Sequence, residues 1–109
     1  LHIAAMSPQW VTRDEVPEVK ALTLETRVNG QVMQRASLAD LIFDIPTIVA
    51  YVSRFTPLSP GDVIATGTPG GVGDRREPPL YMKHGDTVEV EITGLGVLRN
   101  RIGTDHSVA

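Results

Sequence analysis

Ser59-Pro60-Gly61-Asp62-Val63-Ile64-Ala65-Thr66-Gly67-Thr68-Pro69-Gly70-Gly71-Val72-Gly73 is the stretch around which the rest of the chain is organised. Pro60-Gly61 has the chemistry of a type II turn: proline fixes φ at the second position and glycine supplies φ > 0 at the third. Val63, Ile64 and Ala65 form an apolar run bounded by turn signals, which predicts a short strand buried on both faces. From Thr66 to Gly73, eight residues hold four glycines and one proline. Two readings are open. The glycines serve tight bends only, or a backbone poor in side chains gathers N–H groups into a nest for an anion. A Walker-type phosphate loop is excluded, because no Gly-Lys-Ser/Thr ending and no helix pattern follow Gly73.

Outward from this stretch, composition sets bounds. The chain has 109 residues, 41% hydrophobic and 21% charged, which predicts one domain spanning 1–109. A net charge of -3 with scattered Lys and Arg argues against a nucleic-acid partner. No apolar run approaches the roughly 20 residues that span a bilayer, so no membrane partner is expected. There are no cysteines, which removes disulfides and thiolate metal sites and leans the compartment towards the cytoplasm. Leu1 to Met6 lacks the basic start of a signal peptide and an initiator Met, so the expectation is a sequence that begins inside a larger natural domain.

Towards the N-terminus, Thr12 with Glu15 three residues on has capping-box spacing. Asp14 and Glu15 are read as acid/base or metal carboxylates, or as a solvated turn. Leu22 to Val28 alternates as a half-buried strand. Asn29-Gly30 is a type I′ hairpin signal, with Gln31 to Arg35 returning antiparallel. Ser37 is an N-cap for a short helical turn, and Asp44 an N-cap for the main helix with Pro46 in its first turn. Ile45, Ile48, Val49, Val52 and Phe55 share one helical face, predicted to pack into the core.

Towards the C-terminus, residues 74–79 read as an exposed loop in which Glu77 is a base or merely solvated. His84-Gly85-Asp86 is a further turn, and Thr87 to Ile92 alternates strictly. A three-residue loop centred on Leu95 pairs Glu91 with Arg99, Glu89 with Arg101, Ile92 with Leu98 and Val88 with Ile102. Gly103 to Ala109 reads as a frayed tail. His2, His84 and His106 have no partner at metal-ligand spacing and are read as structural or solvated.

The order and spacing of these pieces resemble the C-terminal half of the catalytic domain of the fumarylacetoacetate hydrolase family. The resemblance covers nearly the whole chain. It rests on Pro8-Gln9-Trp10-Val11-Thr12 with Asp14-Glu15, on Val28-Asn29-Gly30, on Leu41-Ile42-Phe43, and on the stretch from Pro60 to Gly73. It continues through Lys83-His84-Gly85-Asp86, Glu89-Val90-Glu91-Ile92 and Gly94-Leu95-Gly96-Val97-Leu98-Arg99-Asn100. It implies a mixed α+β, mainly β fold: a β-rich roll with one main amphipathic helix.

The resemblance also implies an Mg²⁺- or Mn²⁺-dependent enzyme acting on acyl pyruvates, β-diketo acids or 2-hydroxy-dienedioates. The reactions are C–C hydrolysis, decarboxylation or isomerisation in the catabolism of aromatic compounds. By position, Gly67 and Thr68 match substrate contacts, with backbone N–H groups and the Thr68 hydroxyl holding a substrate carboxylate. The family's metal carboxylates, substrate lysine and His–Glu dyad match no position here, and Ala36-Ser37 stands where the family usually has Asn-Thr. No metal ligand or catalytic base is therefore assigned. The competing expectation is a non-catalytic β-rich binding or assembly module. An open apolar sheet face would favour self-association, so a homodimer or larger assembly is expected.

Overall fold

A computed structural model describes residues 5–16 and 18–104. The expectations for His2, His106, the first residues and the tail beyond Thr104 lie outside the described residues. The architecture is mainly β with one α-helix. Strands β1 (Thr23–Val28), β2 (Gln31–Ser37), β3 (Thr87–Ile92) and β4 (Gly96–Arg101) form one antiparallel sheet in the order β2-β1-β3-β4. Helix α1 (Ile45–Val52) lies between the two hairpins in sequence.

The first hairpin forms as its turn chemistry demands. Asn29 and Gly30 have φ of +51° and +81°, the pair of left-handed residues that a type I′ turn requires. Val28 then pairs with Gln31 and Arg27 with Val32, but Thr26 pairs with Gln34, which leaves Met33 as an extra residue in β2. This bulge sets Glu25 opposite Arg35 and Leu24 opposite Ala36. An unbroken register would have put Glu25 against Gln34 and Leu24 against Arg35, so charge and apolar pairing both favour the bulge.

The second hairpin differs from the predicted register. Glu89 pairs with Arg99, Val90 with Leu98 and Ile92 with Gly96, two residues away from the expectation. The loop is residues 93–95, closed by the Leu95 N–H donating to the Ile92 carbonyl at 2.9 Å. Gly94, with φ +81°, takes the third turn position, and Gly96, with φ +96°, opens β4. A slip of two keeps every side chain on its face, so alternation could not separate the two registers. The positive φ of the two glycines decides between them.

Across the sheet, Arg27 is the centre of the charge pattern. Its guanidinium lies 2.8 Å from Glu25, 3.0 Å from Glu91 and 3.6 Å from Glu89. These hydrogen bonds, first to Glu25 and then to Glu91, push its pKa further up. Glu89 is also held by Arg99 at 2.7 Å, and that contact lowers its pKa most.

Two caps stand where the sequence placed them. The Asp44 carboxylate accepts from the Thr47 N–H at 2.9 Å at the start of α1, and Ser37 accepts from the Ala39 N–H at 3.1 Å. The Thr12 cap does not form. The 3-10 turn Arg13–Glu15 has no side-chain cap, and Thr12 instead hydrogen-bonds the Asp14 side chain, lowering the Asp14 pKa.

The core expectation is corrected. No described residue is buried, and the stripe of α1 is only partly covered: Ile48 and Val52 are half-buried, Ile45 and Val49 are exposed, and Phe55 lies beyond the helix end at 69% exposure. Phe55 meets Tyr51 edge-on at 4.8 Å between ring centroids. Helical periodicity states which face is apolar; it does not supply the surface that covers it. Trp10, Ile42 and Val63 are likewise exposed, at 70%, 91% and 65%.

Candidate functional site

The segment from Ser59 starts as predicted. The Asp62 N–H donates to the Ser59 carbonyl at 3.0 Å with Gly61 at φ +96°, and the Asp62 carboxylate accepts from the Ser59 N–H at 2.8 Å. The same arrangement recurs at Lys83 to Asp86, with Gly85 at φ +91°. The strand predicted over Val63, Ile64 and Ala65 is not there. These residues are in irregular backbone and only Ile64 is half-buried. A strand needs a neighbour to satisfy its backbone, and no described strand runs beside this one.

The glycine-rich loop is instead tied down by side chains. Gln34 on β2 donates through Nε2 to the Thr68 hydroxyl oxygen at 2.8 Å and to the Pro69 carbonyl at 2.9 Å. Arg76 donates to the Gly71 carbonyl at 3.0 Å and to the Met33 carbonyl at 2.6 Å. Met33 is the bulged residue, so its carbonyl is displaced from the regular ladder. Gly71, with φ +107°, lies so close that a Cβ there would meet that carbonyl. Beyond the loop, the 3-10 turn Gly73–Arg75 is anchored by the Leu80 N–H donating to the Gly73 carbonyl at 2.9 Å. The Tyr81 hydroxyl donates to Asp74 at 2.7 Å, which raises the phenol pKa.

Gly67 and Thr68 therefore sit in an exposed loop with a fixed attachment. Gly67 turns the chain at φ +102°. Among the described residues, none accepts a hydrogen bond from the main-chain N–H groups of residues 63–74. Two clefts are present elsewhere. One of about 420 Å³ lies between Trp10 and the 62–64 segment, and one of about 570 Å³ lies beside Lys20, Phe43 and Asp44. Neither is lined by Gly67 or Thr68, and it is hydrogen-bonding capacity that marks the loop as a candidate.

The remaining candidates are dispersed. Glu15 and Glu77 are exposed, and His84 faces Thr104, with Nδ1 at 3.0 Å from the hydroxyl. Among the described residues, no three His, Asp or Glu side chains come together in a way that could hold a metal ion. Gln34 and Arg76 were not singled out from the sequence. The better charge and apolar pairing across a bulged β1–β2 hairpin was the available signal for the first. An arginine in a charged loop gives no comparable signal for the second.

A four-stranded antiparallel sheet beside a glycine-threonine-proline loop defines a β-rich scaffold that presents backbone donors. The model of the fumarylacetoacetate (FAA) hydrolase C-terminal region matches residues 2–103, and the chain belongs to that family. It is 43% identical over 97 residues to oxaloacetate tautomerase FAHD2A, mitochondrial, of Bos taurus, covering 89% of this chain and 31% of that protein. It resembles the solved fumarylacetoacetate hydrolase (EaFAH) of psychrophilic Exiguobacterium antarcticum with a TM-score of 0.83 at 43% identity, covering 87% of this chain and 34% of that one. The maleylpyruvate hydrolase of Sphingobium sp. SYK-6, in complex with manganese(II) ion and pyruvate, matches with a TM-score of 0.75 at 35% identity, covering 85% and 33%. The chain thus spans about a third of the length of these relatives.

Proposed function

We propose that this chain carries the carboxylate seat of a metal-dependent enzyme acting on small 2-oxo acids, in the class of keto–enol isomerisation or C–C hydrolysis. The observation behind this reading is the loop at Gly67 and Thr68: main-chain N–H groups with no described acceptor, beside a hydroxyl whose oxygen is already engaged by Gln34. With its acceptor side engaged, the Thr68 hydroxyl has its proton to give, and an anionic carboxylate is the strongest taker. A relative that binds Mn²⁺ and pyruvate supports the ligand class and a divalent ion, Mg²⁺ or Mn²⁺. Such an ion, when bound, polarises the oxo acid and stabilises the enolate. The described residues do not by themselves fit a hard-cation site, so this chain's own part is to hold and orient the acid group.

Thr68→Val and Thr68→Ser test the reading in the enzyme, with oxaloacetate isomerisation and acyl-pyruvate hydrolysis as assays. Loss of one charge-assisted hydrogen bond predicts a KM about tenfold higher for the valine variant and near-normal KM for the serine variant. An unchanged KM in the valine variant refutes it.

The second reading, an assembly module without catalysis, draws on the open apolar residues Trp10, Ile42 and Phe55. Both readings carry self-association as a proposal, to be measured by light scattering; a monomer at micromolar concentration removes it. No helix among the described residues is long and apolar enough to cross a membrane. A cytoplasmic location is kept as part of the proposal, to be checked by fractionation.

A further inference from the structure

We infer that Gln34 is a positioning residue that sets the direction of the Thr68 hydroxyl, an inference that rests on the carboxylate-seat reading and adds a residue from a different element to it. The chemistry of the amide fixes the direction. The Pro69 carbonyl can only accept, so the Gln34 atom 2.9 Å from it is the nitrogen. That nitrogen carries two hydrogens and accepts nothing. The Thr68 oxygen 2.8 Å from it must therefore take the second hydrogen. The hydroxyl proton is directed away from Gln34 and is available to a ligand. A side chain that accepted from Thr68 instead would turn the same proton inward.

Three features keep Gln34 in place. It is half-buried on β2, it follows the bulged Met33, and the Met33 carbonyl is fastened to the loop by Arg76 at 2.6 Å. The bulge shifts the strand register by one residue at this point, so it decides which β2 side chain stands on the loop side. Strand and loop are thus joined at two points, Gln34 to Thr68 and Pro69, and Arg76 to Met33 and Gly71.

The test uses the purified full chain, pyruvate as probe, and Gln34→Leu, Gln34→Glu and Thr68→Val as variants. Binding is followed by amide chemical shifts. Gln34→Leu is expected to weaken pyruvate binding about tenfold with no change of charge. Gln34→Glu is expected to weaken it at neutral pH, where the carboxylate accepts the Thr68 proton. It should regain affinity as pH falls through about 4–5, where the protonated carboxyl donates again. Wild type stays flat over that range, since pyruvate remains ionised.

Charge repulsion alone would weaken the glutamate variant but spare the leucine variant, and that result overturns the inference. Without ligand, Gln34→Leu is expected to move the Gly67, Thr68 and Gly70 amide signals while the β3–β4 signals stay. Binding that depends on Thr68 but not on Gln34 overturns this inference and leaves the seat. Loop shifts without any pyruvate binding overturn the seat and leave Gln34 as the loop's anchor alone.

Discussion

The sheet and the loop that follows Pro60 satisfy their backbones in opposite ways. In the sheet, β1 is flanked on both sides by antiparallel neighbours, and its charged side chains pair across strands, with Arg27 held among three carboxylates. In the loop, the amides of residues 63–74 find no described acceptor, and two side chains, Gln34 and Arg76, hold the segment against β2. Backbone that is paired within the sheet is unavailable for ligands. Backbone held by side chains at its edges keeps its donors for something else. The apolar run 63–65 has the composition of a strand, yet without a partner strand it remains irregular, with only Ile64 half-buried.

The contrast can be broken most severely at the glycines where loop and sheet approach. Gly71→Ala combines a strained positive φ with a clash against the Met33 carbonyl, for an expected loss of about 3 kcal/mol. The urea midpoint measures it, and an unchanged midpoint would show that the loop is not docked on the bulge. Next comes Arg76→Met, which removes two charge-assisted hydrogen bonds to carbonyls and should cost about 2 kcal/mol. Amide chemical shifts of residues 67–73 should move, while the paired amides of β3 and β4 keep their protection from hydrogen exchange. Loss of protection in β3 and β4 would mean that the two regions open together.

A smaller effect tests the hairpin register. Gly96→Ala meets open space, so only the backbone conformation at φ +96° opposes it, at about 1 kcal/mol. Cross-strand nuclear Overhauser effects should join Val90 to Leu98, and contacts joining Ile92 to Leu98 would restore the register centred on Leu95.

The smallest and most salt-sensitive effect is the acid response of the surface carboxylates. Glu89 is held below its ordinary value first by Arg99, Asp86 first by the Asn29 side chain, and Asp44 first by Thr47. Because their folded values are lowered, their stabilisation is present above the unfolded carboxylate range near 4 and is lost as pH falls through the folded values. Thermal unfolding from pH 6 to 3 should show this decline, and Arg27→Met should shift the curve by removing the shared cation. A midpoint that rises on acidification would contradict the assignment.

Much of the sheet was legible because its determinants are local. Asn29-Gly30 requires left-handed conformations, Asp44 and Ser37 accept from amides two or three residues on, and alternation states the two faces of each strand. The site was legible only as a glycine-threonine-proline loop. Its anchors were not, because Gln34 stands 34 positions before Thr68, and Arg76 lies 43 positions beyond Met33. No local spacing rule links residues so far apart.

The sequence by itself determined where the chain turns, which residues cap its helix, and which side chains share a face, since each follows from φ preferences and hydrogen bonds over a few residues. Only the tertiary structure decided the register of β3 with β4, the bulge at Met33, the absence of a strand at 63–65 and the attachment of Thr68 to Gln34. The register follows from which glycines take positive φ and the rest from which groups come within hydrogen-bonding reach, while periodicity is blind to a two-residue slip and to the presence of a partner.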